Sequence, residues 1–451
     1  MKVLLVLHQY LPRHVTGTEQ YVRSVAHGLQ AQGDDVTILC YEPLIQFEAP
    51  GRDWFLRDET VEGVPVRRIA VHPRHSANRE LGDYENPLVG SMVAAMLREG
   101  GFDIVHVFHL RNLGLEVLRQ ARSQGIQTAV HLMDFWFLCP NFLLLRSDGS
   151  LCEGPTEQGF GCIRCMDASL AQAVDTAGLR PLLEPMSAQP APAGGMAPTI
   201  ARRAHALVAR KPTLFAELQR ANAVFAPSRF MCSAFESQGF PTGRIELLPY
   251  GLDPSRGAAR PAQPSDRADG VLRVGYIGSI ARHKGVHVAI EAVRRLERKD
   301  VVLHVFGDVD THPEYSRELR ASAGNDPRIV FEGKFEPTQL GEVLARLDCV
   351  AVPSLWHENT PFTALEALNF GLPVLASRLG GLTEIVEEGK NGMLFGSGDV
   401  GQLAARLDQL ASTPRLLATL SRTTSVHSVL RDVRTMRRRY AEMLAANEVE
   451  S

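Results

Sequence analysis

The stretch PSLWHENTPFTALEALNFG, residues 353–371, decides how this chain is read. Two carboxylates, Glu358 and Glu366, stand eight positions apart, and Asn359, Thr360, Pro361 and Phe362 follow the first. The β-branched run CVAVPS at 349–354 predicts a buried strand; Pro361 after Thr360 predicts a helix start with Thr360 as its N-cap. Gly371, with Pro373 beyond it, predicts the stop. Glu358 therefore falls in a strand-to-helix loop, while Glu366 lies inside the helix on the face of Phe362 and Thr363. A helix that begins there offers the amides of Phe362 and Thr363 to an anion, and phosphate is the usual occupant. Glu366 is flanked by Ala364, Leu365, Ala367 and Leu368, which places it off the solvated face. A carboxylate only accepts hydrogen bonds, so it needs donors there. A ribose diol meets that need, and a sugar diol would meet Glu358. One ligand joins these demands: a sugar with phosphate between it and a ribose. The plainer alternative is that Glu358 complements the helix dipole and Glu366 pairs with a core arginine.

With the run that continues it, GLPVLASRLGGLTEIVEEGKNGMLF at 371–395, the stretch resembles the donor-binding signature of retaining glycosyltransferases of family 4. The paired glutamates, the Gly371 to Val374 turn and the Asn391-Gly392 turn keep that family's spacing. The resemblance implies an α/β chain of GT-B fold, two Rossmann-like parallel-sheet domains facing a central cleft. It implies a UDP- or GDP-sugar donor whose ribose is held by Glu366 and whose sugar hydroxyls are held by Glu358. Asn359, Thr360, Pro361, Phe362 and Thr363 would complete the donor site. The sugar would pass to a glycan, lipid-linked or small-molecule acceptor, as in polysaccharide biosynthesis.

Composition leaves room for this and closes other routes. A chain of 451 residues holds two or three domains with full cores. Lys plus Arg is 48 against 51 Asp plus Glu, a net charge of -3, so no global field favours nucleic acid. The apolar run at the start spans only Val3 to Leu7 before His8 and Gln9, which reads as a buried strand and not as a signal peptide. No run approaches the roughly 18 apolar residues of a membrane helix. A cytoplasmic protein with reduced thiols is expected.

In the first half strands and helices alternate: KVLLVLH, a helix striped by Val22, Val25, Ala26 and Leu29, DDVTILC, a hairpin within 52–69, FDIVHVF, a helix over 111–123, and QTAVHL. Such alternation predicts a parallel sheet covered on both faces, with ligands at the carboxyl ends of its strands. His106, His109, His131 and Asp134 fall near that edge. No G-x-G-x-x-G follows the first strand. Where the family carries two adjacent glycines this chain has Thr16 and Gly17, so the resemblance assigns donor or acceptor contact to Gly17. VHLMDFWFLCP resembles the family's His-Asp stretch, with Met133 in place of the histidine next to Asp134. Methionine donates no hydrogen bond. His131, two residues earlier on the same strand face, is the candidate substitute. Asp134 and His131 therefore join the catalytic set.

Four of the seven cysteines, Cys139, Cys152, Cys162 and Cys165, fall within 27 positions, and the last two form a CxxC pair. They read as a structural zinc tetrahedron, with loose spacing for a zinc ribbon, as free thiols, or as an oxidation-sensitive loop. Residues 188–199 are a flexible low-complexity segment, a helix over 201–220 follows, and 256–270 is the interdomain linker.

The second domain opens with VLRVGYIGSIARHKG. Arg282 and Lys284 hang in a loop at a strand's carboxyl end, where cations neutralise a diphosphate. The family has arginine where this chain has Ser279, so the resemblance places Ser279 in the donor site and makes Arg282 the source of the missing charge. With those cations present no catalytic metal is expected. The expected division is 1–252 on the acceptor side, 253–425 for the donor, and a helix from 426–451 that packs back on the first domain. The basic face of that helix, Arg431, Arg434 and Arg437 to Arg439, reads first as a solvated face and, as the alternative, as peripheral contact with the inner face of a membrane that carries a lipid acceptor. Two rivals stand: a binding subunit that keeps the donor pocket without chemistry, and a nucleotide-sugar epimerase on the same fold.

Overall fold

The computed structural model describes residues 1–42, 54–72, 79–184, 199–253, 269–421 and 426–450. Most of the low-complexity segment and of the interdomain linker lies outside these residues. The chain forms two compact units, Met1–Pro249 with Leu430–Ser451, and Tyr250–Val429.

Unit 1 is built on an eight-stranded sheet: β1 (Lys2–Leu7), β2 (Asp35–Tyr41), β3 (Trp54–Val61), β4 (Val64–Val71), β5 (Ile104–Val107), β6 (Gln127–His131), β7 (Ala223–Ala226) and β8 (Glu246–Leu247). Their order is β3-β4-β2-β1-β5-β6-β7-β8, and only β3 runs antiparallel to its neighbour. Every residue from Val3 to Leu7 is fully buried, as a strand covered by helices on both faces must be. The β3–β4 hairpin turns on Glu62 and Gly63, both with positive φ, the geometry that matches the twist of the flanking strands.

Two helices differ from the sequence reading. The one expected over 111–123 begins only at Glu116, because Asn112 and Gly114 take positive φ in the turn before it. The one expected over 201–220 is two, Thr199–Val208 and Arg210–Gln219. Pro212 lacks an N–H and is tolerated only in a helix's first turn, so the second helix must restart just before it.

Helix Val429–Glu450 completes unit 1. Val433, Met436 and Tyr440 are fully buried. Tyr21 Oη donates to Asp432 Oδ2 at 3.0 Å, Arg437 Nε donates to Asp34 Oδ2 at 2.7 Å, and the Tyr440 hydroxyl hydrogen-bonds His106 Nδ1. Helix Gly17–Ala31 approaches so closely that a Cβ on Gly28 would stand 2.7 Å from Val433 Cγ2.

Unit 2 carries an all-parallel six-stranded sheet of β9 (Leu272–Ile277), β10 (Val301–Phe306), β11 (Ile329–Gly333), β12 (Cys349–Val352), β13 (Val374–Ser377) and β14 (Gly392–Phe395), in the order β11-β10-β9-β12-β13-β14. The two stretches that enter and leave it are paired: Leu252 N donates to His427 O at 3.0 Å and Val429 N to Leu252 O at 2.9 Å. Among the described residues no helix is long and apolar enough to cross a membrane.

Met436→Ala should lower the stability of unit 1 by about 2–5 kcal/mol, the cost of emptying a buried methionine site. Arg438→Ala, on the outer face of the same helix, should change it by less than about 0.5 kcal/mol. Urea unfolding followed by tryptophan fluorescence measures both.

Candidate active site

All six strands of unit 2 run parallel, so their carboxyl ends share one edge, where ligands bind in such sheets. Glu358 sits in the loop after β12 and is only 4% exposed. A carboxylate that buried needs donors. Three converge on its Oε1: Lys284 Nζ at 2.8 Å, Ser354 Oγ at 2.6 Å and Trp356 Nε1 at 2.8 Å. None of the three reaches Oε2, which keeps its acceptor capacity. Lys284 also lies 4.7 Å from the centre of the Trp356 ring. It is held by charge and by the aromatic face together.

Two glycine contacts fix this arrangement. Lys284 ends a single 3₁₀ turn, Arg282–Lys284, and Gly285 follows with φ 73°. A Cβ on Gly285 would lie 1.8 Å from the Pro353 carbonyl oxygen, so only glycine lets the lysine turn press against the end of β12. On the other side Gly381 N donates to Glu358 O at 2.7 Å, and a Cβ there would lie 1.5 Å from Asn359 O. Between them Leu355 N donates to His283 O at 2.8 Å. Burial, and then the Lys284 charge, push His283 down to about 4, so its ring is neutral beside Trp356.

The helix after the loop is Phe362–Asn369, with Pro361 and not Thr360 at its N-cap. Pro361 is extended, with ψ 123°, which delays the first helical residue by one. Asn359 and Thr360 are buried behind it, and Glu366 is half-buried on the helix. Thr363 Oγ1 donates to Ile277 O at 3.2 Å and ties the helix start to the end of β9. Ser279 uses its carbonyl to accept from Tyr276 Oη at 2.6 Å. Phe362 stacks on Tyr250 with ring centres 5.1 Å apart. Arg282 is not part of the Glu358 cluster. It is exposed, ion-paired with Glu318 and stacked over Tyr315 at 4.9 Å.

At the carboxyl edge of the unit 1 sheet a second group of polar residues gathers. His109 Nε2 lies 3.1 Å from Asp134 Oδ2, Trp136 N donates to Asp134 Oδ1 at 2.8 Å, and Arg111 N donates to His109 Nδ1 at 3.1 Å. With Nδ1 accepting, Nε2 carries the proton and donates to the aspartate. The His8 ring packs on His109, centres 4.1 Å apart. Trp136 Nε1 and Arg210 Nη2 both donate to Asp83 Oδ2 at 2.9 Å. Gly17 is the first residue of its helix. In that helix the fully buried Glu19 accepts from Thr16 N at 2.8 Å and from Gln9 Nε2 at 2.9 Å.

His131 does not take the place left by Met133. It is fully buried, with rings of Phe108 at 5.6 Å and His106 at 6.0 Å stacked on it. Strand alternation puts it on the right face, but the aromatic layer beneath the edge holds it in the core. His109 from the neighbouring strand end is the histidine that meets Asp134. The sequence reading also passed over Ser354, Trp356, Asp83 and Glu19. Trp356, two residues before Glu358, carried a usable signal: a polar N–H in a loop that must satisfy a buried carboxylate.

The four clustered cysteines line one small cavity in unit 1, and all are free thiols. Cys139 Sγ turns to Asn141 Oδ1 at 2.8 Å and Cys152 Sγ to Gly154 O at 3.3 Å. Among the described residues no three His, Cys, Asp or Glu side chains stand in a ready metal-ligand arrangement.

Residues 16–251 match the model of the glycosyl transferase 4-like domain, and residues 272–413 match that of glycosyl transferases group 1. A 2-deoxystreptamine glucosyltransferase of Streptomyces kanamyceticus is 30% identical over 179 residues, 38% of this chain and 46% of that protein. A D-inositol 3-phosphate glycosyltransferase of Corynebacterium urealyticum is 32% identical over 184 residues, 38% and 43% respectively. The chain thus spans less than half the length of these curated relatives. Two solved structures are similar in fold along 99% of both chains, each at 18% identity: sucrose-phosphate synthase from Thermosynechococcus elongatus, with a TM-score of 0.65, and Anabaena HepE in complex with UDP and glucose, at 0.63.

Burial holds His131 down at about 3 against its ordinary 6.5. The unfolded chain takes up that proton first, so unit 1 loses stability as pH falls from 6.5 toward 3. His131→Phe, which keeps the ring stack, should remove about 2 kcal/mol of the loss between about pH 6.5 and 5. Urea titrations of both proteins across that range measure the difference.

Proposed function

The chain belongs to the group 1, 4-like glycosyl transferases, and on that premise we propose that it moves a sugar, with retention of configuration, from a UDP- or GDP-sugar to a hydroxyl acceptor. The observation that carries the reading is the Lys284–Glu358 pair at the carboxyl edge of a parallel sheet, beside the start of helix Phe362–Asn369.

Each part has a task. Glu366 accepts from the ribose hydroxyls, and the open Oε2 of Glu358 accepts from the donor sugar. Breaking the bond from the anomeric carbon to phosphate leaves charge on the diphosphate. Lys284 and the first amides of helix Phe362–Asn369 act where that charge develops. Arg282 adds a second cation only if it exchanges Glu318 for phosphate. The acceptor oxygen attacks the face that the phosphate leaves, and its proton passes to a phosphate oxygen. Asp134, oriented by His109 and Trp136, receives the acceptor at the unit 1 edge. The complexes of HepE with UDP and UDP-glucose support a nucleoside diphosphate as the donor class for this fold. A lipid-linked acceptor is supported by the exposed Arg431, Arg434 and Arg438 of helix Val429–Glu450. Arg437 and Arg439 are instead tied to Asp34 and Glu246. Met133 beside Asp134 favours a second reading, a donor-binding subunit without transfer.

Calorimetry with UDP and GDP tests the site. One of the two should bind, and Glu366→Ala should weaken it roughly 10- to 100-fold, the value of a charge-assisted hydrogen bond. Glu358→Ala should leave free diphosphate binding intact while cutting sugar transfer or donor hydrolysis by about 10²-fold or more. Binding of neither nucleotide, or equal binding by both variants, removes the donor assignment. Tight donor binding with no turnover on any hydroxyl acceptor favours the second reading.

A further inference from the structure

The donor site leaves the cysteine cluster of unit 1 without a task. Cys139 follows the turn after β6, Cys152 lies just beyond an isolated bridge between Leu145 and Leu151, and Cys162 and Cys165 stand one turn apart on helix Phe160–Met166. From these three pieces of chain the fold brings four thiols around one cavity of about 40 Å³. The segment between is irregular. Four of the six non-glycine residues with positive φ among the described residues, Phe142, Leu144, Glu157 and Gln158, fall inside it or at its end. Backbone of that kind persists only where its surroundings over-determine it.

We propose that Cys139, Cys152, Cys162 and Cys165 bind one zinc ion as a tetrathiolate site that ties segment 139–156 to helix Phe160–Met166. The thiols give up four protons to solvent as they ligate, and the bound group carries two net negative charges. Arg146 lines the same cavity and brings a cation to that charge. Among the described residues no three of these thiols converge as ligands, so ligation requires Cys139 and Cys152 to turn from Asn141 and Gly154 toward the cavity.

Metal content of the full chain, purified under reducing conditions without chelator, tests this directly. About one zinc per chain is expected, with less than about a tenth of that in the double variant Cys162→Ser, Cys165→Ser. Cys232→Ser, a cysteine outside the cluster, should keep the wild-type content. Because the double variant could misfold, the wild-type chain is also stripped and loaded with cobalt(II), which should show the charge-transfer and d–d bands of a tetrahedral thiolate site. Wild-type chain that carries no zinc and gives no such bands while its cluster thiols are reduced overturns the proposal. So does a mass two hydrogen atoms lower, the mark of a thiol pair oxidised by dissolved oxygen, that maps to a Cys–Cys bond within the cluster.

Discussion

A carboxylate that is almost wholly buried sets the terms for the rest of unit 2. Glu358 has to find donors inside the protein, and the chain supplies them from two places, Lys284 after β9 and Ser354 with Trp356 after β12. Bringing Lys284 that close forces the turn after it into contact with the Pro353 carbonyl, which no residue with a Cβ tolerates. Holding Glu358 from behind requires Gly381 to touch the Asn359 carbonyl. Two glycines far apart in sequence thus answer to one charge. The three donors share a single oxygen, so the carboxylate is satisfied in the resting protein and still has an acceptor for an incoming hydroxyl.

How much of this the sequence discloses depends on the range of the interaction. Strands such as KVLLVL and CVAV announce themselves because burial on both faces demands unbroken apolar runs, and their parallel order follows from the helices between them. Local rules alone put Glu358 in a strand-to-helix loop, Glu366 on the helix and Arg282 with Lys284 in a loop after a strand; the role of each in a donor site came with the resemblance. Depth was not legible. His131 and His109 look alike as strand-end histidines, and alternation assigns each a face without saying how many rings are stacked beyond it. Nor does a string of residues say which cation pairs with which anion. Arg282 and Lys284 are two positions apart on one turn, yet one points to Glu318 and the other to Glu358. The cysteines were conspicuous as a cluster, while the turn of each thiol toward Asn141 or Gly154 is set by contacts that no spacing rule contains.

The unit 1 edge illustrates substitution by position. A methionine next to Asp134 cannot donate, and the donor arrives from the adjacent strand end, where His109 is oriented by a backbone N–H on its far nitrogen. The aspartate therefore keeps two donors, one main-chain and one imidazole, and its remaining exposure faces solvent.

Helix Val429–Glu450 has a bearing on the order in which the protein is made. A ribosome releases β1 through β8 before any residue of unit 2, but the partners of Tyr21, Asp34 and His106 are Asp432, Arg437 and Tyr440, which are translated only after unit 2 is finished. The nascent first unit must wait, with the seat of Val433 and Met436 open, while some 180 residues of Tyr250–Val429 emerge and can fold on their own core. The domain begun first is the last to close.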